Sequence, residues 1–138
     1  MRRNGKFQLG TVLTISLAHM VHDIYSAFLA PVLPLLIEKF SLSLSLAGLL
    51  TVIMRMPSLL NPVVGLLADK ISMRYLIIIA PAVTAVCMSL LGLAPGYWFL
   101  VVICLITGVS VTFFHVPTPV MVRRVSGDSV GKGMSFYM

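Results

Sequence analysis

Four apolar runs dominate this chain and limit what it can fold into. They cover about Leu9–Ile37, Leu46–Ala68, Tyr75–Ala94 and Tyr97–Val122. Each reaches the ~20 residues that a helix needs to cross a bilayer. The first is longer than that, so it is expected to tilt or to extend beyond the bilayer. Only 10% of the 138 residues are charged and 59% are hydrophobic, where a soluble domain carries about 25% charged residues. Lipid is therefore the solvent for most of the chain. The expected fold class is all-α, a polytopic membrane helical bundle of four transmembrane helices.

A net charge of +6 could indicate nucleic acid, but its distribution excludes that partner. Arg2, Arg3 and Lys6 precede the first run, Lys70 and Arg74 separate the second from the third, and Arg123, Arg124 and Lys132 follow the fourth. Antiparallel helices place all three groups on one side, with eight of the ten Lys and Arg residues. The other side holds only Lys39 and the uncharged turn at Pro95-Gly96. This is the positive-inside pattern, which makes the N-terminus cytoplasmic and the chain an integral membrane protein. A cleaved signal peptide is the competing reading of the N-terminus. It fits poorly, because the run from Leu9 carries two His and an Asp and continues past them. Cys87 and Cys104 both fall inside apolar runs and read as small packing residues rather than a disulfide or metal pair.

The connections are short, as antiparallel neighbouring helices require. After the fourth run a polar loop leads to Gly133–Met138, an apolar stretch too short to span. It reads as the start of a fifth helix, which would make the chain a fragment; a short interfacial tail is the plainer alternative.

The chemistry concentrates where ionisable side chains interrupt the apolar runs. Asp or Arg at a helix centre costs about 2.5–3.5 kcal/mol on insertion scales, so such residues usually serve a polar cavity, an ion path or a substrate. At 100° per residue, Ser16, His22, Asp23, Ser26 and Ala30 fall within roughly 60° of His19. Leu17, Ile24, Phe28 and Val32 fall near the opposite face. The polar stripe should face a bundle interior or a water-filled cavity. His19 and Asp23 are four residues apart, neighbours on that face, and such a pair can hold a proton in alternative places. The functional reading is proton coupling or substrate contact; the structural one is a hydrogen bond that joins helices. For His22, at the stripe's edge, packing competes equally.

Arg55 lies near the middle of the second run, and Asp23 is the one carboxylate at matching depth. An Asp23–Arg55 pair is therefore expected, because an uncompensated buried charge is hard to retain. An anionic substrate or helices absent from this chain could serve Arg55 instead. His19, His22, Asp23 and His115 also have plausible metal-ligand spacing. There is no His-Glu-x-x-His and no Cys cluster, so no metal or other cofactor is expected.

The stretch Gly65-Leu66-Leu67-Ala68-Asp69-Lys70-Ile71-Ser72-Met73-Arg74 resembles the loop between helices two and three of the major facilitator superfamily, Gly-x-Leu-Ala-Asp-Arg-x-Gly-Arg-Lys/Arg. Gly65, Leu67, Ala68, Asp69 and Arg74 match and Lys70 is conservative. Ser72 and Met73 depart from it, in place of Gly and Arg. Two further stretches are similar to the fosmidomycin-resistance branch of that superfamily. They are Ala18-His19-x-x-x-Asp23 followed by Pro31 and Pro34, and Phe113-Phe114-His115-x-Pro117 followed by Arg123, Arg124, Ser126 and Gly127. Asn61-Pro62-Val63-Val64-Gly65 fits as well.

The resemblance implies a transporter, not an enzyme. Residues 1–138 would be part of an N-terminal six-helix half, with the remaining transporter helices absent from this chain. It implies proton-coupled efflux of a small molecule or drug across a bacterial inner (plasma) membrane. In that reading His19, Asp23, Arg55 and His115 serve protons or substrate. Gly65, Asp69, Lys70 and Arg74 form a gating loop in which Asp69 latches to Arg74, Arg123 or Arg124. Two rival readings are a complete four-helix multidrug exporter acting as a dimer, and an intramembrane metalloenzyme using His19, His22, Asp23 and His115.

Overall fold

The computed structural model describes residues 5–138, so Arg2 and Arg3 of the first basic group lie outside the described residues. All regular structure among those residues is helical. Four stretches are long and apolar enough to cross a membrane: Leu9–Phe40, Leu44–Lys70, Arg74–Leu93 and Tyr97–Val125. Three are not single helices. The first comprises α1 (Leu9–Ser26) and α2 (Leu29–Phe40). The second comprises α3 (Leu44–Arg55), a 3₁₀ turn over Met56–Leu60, and α4 (Asn61–Lys70). The third is α5 (Arg74–Ser89), ending in a 3₁₀ turn at Leu90–Leu93. The fourth comprises α6 (Tyr97–His115) and α7 (Pro117–Val125). A final helix, α8, covers Val130–Tyr137.

The breaks have a common chemical cause. Proline has no N–H to give the carbonyl four residues back. Pro31 cannot serve Ala27, whose carbonyl instead accepts from the Ala30 N–H at 3.3 Å. Pro62 cannot serve Ser58, whose carbonyl accepts from Asn61. Pro117 opens α7 directly after α6 ends. Thr118 Oγ1 donates to the Phe114 carbonyl there, a side chain supplying a donor where the helix is interrupted. Between the first two spans, Ser41 adopts a left-handed backbone (φ 50°) that ends α2. Ser43 then caps α3 by accepting from the Leu46 N–H at 3.2 Å.

Helix α6 lies at the centre, packed against α5 on one side and α3 on the other, and α5 also packs on α1. The main core joins Leu29 and Leu36 of α2, Leu50 of α3, Cys87 and Met88 of α5, and Leu100, Ile103 and Cys104 of α6. Both cysteines are free and buried. Gly108 lets α6 approach the second span closely. A Cβ there would overlap the Met54 carbonyl, so the small residue sets the helix separation. Polar contacts join α5 and α6 within the bundle. Thr84 Oγ1 donates to Ser110 Oγ at 2.9 Å, and Ser110 Oγ donates to the Ala80 carbonyl at 2.8 Å. Helix α8 packs against α1 and α7. Leu17, Ile24, Leu59, Val63, Leu66, Ile78 and Val102 are exposed, as side chains solvated by lipid or by further helices would be.

Candidate functional site

The last turn of α1 carries the site. Two hydrogen bonds converge on the Asp23 carbonyl, from Ala27 N–H at 3.0 Å and Ser26 Oγ at 3.1 Å. They close the helix just before its break and fix the backbone that presents the Asp23 carboxylate. One turn earlier, His19 reaches that carboxylate, with Nε2 3.3 Å from Oδ2. His115, the last residue of α6, approaches from the other side, with Nε2 3.1 Å from Oδ1. Asp23 is thus held between two imidazoles from two spans. Its side chain is 48% exposed, against 16% for His19 and 34% for His115.

Helix α8 orients His19. The Tyr137 ring stacks on the imidazole with centroids 4.2 Å apart and planes 16° from parallel. The Tyr137 carbonyl lies 2.9 Å from His19 Nδ1. A carbonyl can only accept, so Nδ1 is the nitrogen that carries the proton. In a neutral ring Nε2 is then an acceptor, and it faces a carboxylate that also accepts. The contact is favourable only with a cation between the two atoms, and a proton is the smallest that serves.

His22 takes no part in this ion pairing. It is fully buried, its ring 4.3 Å from that of Phe114 and 5.2 Å from that of His115. Neither of its nitrogens has a hydrogen-bond partner among the described residues. An open groove of ≈ 570 Å³ runs past the cluster, lined by Ser16, His19, Asp23, Phe136 and Tyr137 among others. Ser16, His19 and Asp23 of the α1 polar stripe line it together with Leu17 and Ile24 of the face expected opposite, while His22 of the stripe is buried.

Two expected contacts are not made. Arg55 forms no ion pair with Asp23; among the described residues the partners of Asp23 are His19 and His115. Arg55 is exposed at the C-terminal end of α3 beside an open cavity of ≈ 470 Å³ with Thr51 and Ser58. A helix C-terminus favours a cation, which gives the guanidinium a local counter-charge without a carboxylate. In the loop between the second and third spans, Asp69, Lys70 and Arg74 are exposed. Asp69 makes no ion pair among the described residues with Arg74, Arg123 or Arg124. Apolar contact holds this region instead: Val64, Ala68 and Met73 pack with Phe113 and Val116, and Gly65 sits beside Val116. Arg74 and Arg124 both line a ≈ 190 Å³ pocket there.

The spacing in the sequence linked His19 to Asp23, and family likeness put His115 with them among the residues that serve protons or substrate, but neither brought His115 into contact with Asp23 nor gave Tyr137 a role. No periodic signal marks Tyr137. The adjacency of Phe114 and His115 to a helix-breaking Pro117 was the local sign that this end of α6 is specialised.

Comparison with known proteins fits this architecture. The family model described as Major Facilitator Superfamily matches residues 15–138. The fosmidomycin resistance protein of Escherichia coli (strain K12) is 30% identical over 134 residues, covering 96% of this chain and 33% of that protein. An uncharacterised transporter of the same superfamily from Bacillus subtilis (strain 168) is 26% identical over 129 residues, covering 91% of this chain and 31% of its own length. The chain thus spans about a third of the length of the curated relatives it matches. No solved structure matches it.

Proposed function

Since this chain belongs to the major facilitator superfamily, we propose that it serves proton-coupled efflux of a small molecule or drug. Members of this superfamily are transporters, not enzymes. The observation that carries the coupling reading is Asp23 lying between His19 and His115, with the His19 tautomer set by the Tyr137 carbonyl. A carboxylate that faces the His19 acceptor nitrogen on one side and the His115 imidazole on the other can share a proton with them, and a change in helix packing that separates these groups releases it. The charged and titratable groups that bear on this proton are His19, His22 and Asp23 of α1, His115 of α6, Tyr137 of α8, and Arg55. The groove beside Asp23 gives the proton and a substrate access to the same wall.

In this reading the chain contributes four spans and the start of a fifth to an N-terminal six-helix half, and the remaining helices complete the path. The basic loops face the cytoplasm of a bacterial cell, with the N-terminus on that side. Gly65, Asp69, Lys70 and Arg74 belong to a gate in which Asp69 meets a cation in another conformational state. The name of the Escherichia coli relative makes fosmidomycin the first substrate to test. The small four-helix exporter has no comparable support, since the family match covers nearly the whole chain.

The test uses the protein expressed from its own reading frame and reconstituted in vesicles with an imposed pH gradient. Folded Asp23→Asn protein is expected to lose gradient-driven accumulation of fosmidomycin while keeping exchange without a gradient. Accumulation equal to wild type would make Asp23 structural and place coupling elsewhere.

A further inference from the structure

The two imidazoles and the carboxylate that gather at Asp23 also have the spacing and chemistry of metal ligands. Zinc-class ions bind imidazole nitrogen at about 2.0–2.1 Å and carboxylate oxygen at about 2.0–2.2 Å, which puts neighbouring tetrahedral ligands about 3.3 Å apart. His19 Nε2 lies 3.3 Å from Asp23 Oδ2 and His115 Nε2 lies 3.1 Å from Oδ1, and one ligand atom from each of the three residues lies within 4.8 Å of the other two. We propose that His19, Asp23 and His115 form a binding site for a divalent transition-metal ion, which displaces the shared proton.

Two further features support the assignment. The Tyr137 carbonyl accepts from His19 Nδ1–H, leaving Nε2 as a lone pair aimed at the cluster. This is the outer hydrogen bond that ligating histidines commonly make, and it fixes the tautomer that metal binding needs. The third imidazole, His22, is fully buried and unpartnered among the described residues, edge-on to the His115 ring at 5.2 Å. It adds nitrogen donors to the same neighbourhood and none of the all-oxygen character that Mg²⁺ or Ca²⁺ requires. Two nitrogens and one carboxylate select Zn²⁺, Cu²⁺ or Ni²⁺ over those ions. The groove beside Asp23 leaves a fourth position open to water or a substrate oxygen, as catalytic and exchangeable metal sites do. Binding to deprotonated ligands expels a proton for each protonated group it meets.

The inference does not depend on the transport reading, because binding is measured at equilibrium without transport. Chelator-stripped protein, expressed from its own reading frame and purified in detergent, is dialysed against Zn²⁺ alone and against Mg²⁺ alone, and bound metal is counted. One Zn²⁺ per chain is expected, with proton release and no matching Mg²⁺ uptake. Asp23→Asn and His115→Ala should each weaken Zn²⁺ by more than about tenfold, and Asp23→Glu should restore it. Should those variants fail to fold, the wild type suffices, since Zn²⁺ should slow carbethoxylation of His19 and His115. Absent or non-saturable Zn²⁺ uptake, equal affinity in Asp23→Asn, or unslowed carbethoxylation would overturn the site. Zinc binding together with normal gradient-driven transport by Asp23→Asn would overturn the coupling reading alone.

Discussion

The Tyr137 ring lies flat on the His19 imidazole while the Tyr137 carbonyl holds the same ring's Nδ1–H at 2.9 Å. One residue of α8 therefore sets both the plane and the tautomer of a side chain 118 positions earlier. The two effects separate by substitution. Tyr137→Ala removes the stack, worth about 0.5–1.5 kcal/mol for aromatic pairs, but keeps the carbonyl. Tyr137→Phe keeps both. Thermal unfolding in detergent should show a lower midpoint for Tyr137→Ala and none of that loss for Tyr137→Phe. Equal losses would mean that the phenol hydroxyl, not the stack, matters.

Gly108 and Gly48 make a matched pair for the packing of the second and fourth spans. A Cβ at Gly108 overlaps the Met54 carbonyl, while one at Gly48 meets nothing within 4 Å. Gly108→Ala should destabilise by about 1–3 kcal/mol through overpacking. Gly48→Ala, in the interior of α3, should be neutral or stabilise by up to about 1 kcal/mol. Unfolding midpoints measured side by side decide the matter, and equal midpoints would refute the close approach.

Asp23 should couple energetically to His115 and far less to Arg55. Residues in contact show interaction energies of about 0.5–3 kcal/mol in double-mutant cycles. The cycle of Asp23→Asn with His115→Ala should fall in that range. The cycle with Arg55→Gln should be smaller, because no ion pair joins those two. A larger Arg55 coupling in the stability data would restore the pairing expected from the sequence.

The orientation of the chain can be read by labelling. The native cysteines are buried, so background should be low. Ser45 and Ser72 are both exposed, and Ser45 is preferable to Ser43, whose hydroxyl caps α3. In intact cells Ser45→Cys should react with an impermeant maleimide and Ser72→Cys should not. The opposite pattern would invert the topology.

The spans were legible in the sequence because hydropathy is additive along the chain: each run declares itself without reference to the others. His19 and Asp23 were legible for a similar reason, since helical geometry alone makes residues four apart into neighbours. The pairing of Asp23 was not. Matching depths in adjacent spans suggested Arg55, but which side chains meet depends on how far each helix is rotated, which hydropathy along a single run does not encode. His115 gained its place because α6 ends there. Tyr137 acts largely through a backbone carbonyl, which every residue has, so no side-chain pattern could announce it. The Asp69 latch, drawn from family likeness, has no ion pair among the described residues.

The wide sequence separation within the cluster bears on how the protein is made. Asp23 enters the bilayer with the first span, whereas His115 emerges from the ribosome roughly ninety residues later, on the order of 5–20 seconds at ordinary synthesis rates. His19, one turn away on the same helical face, is made together with the carboxylate and needs no second span to reach it. The histidine one turn away is thus placed to shield that charge from lipid before the partner from α6 arrives.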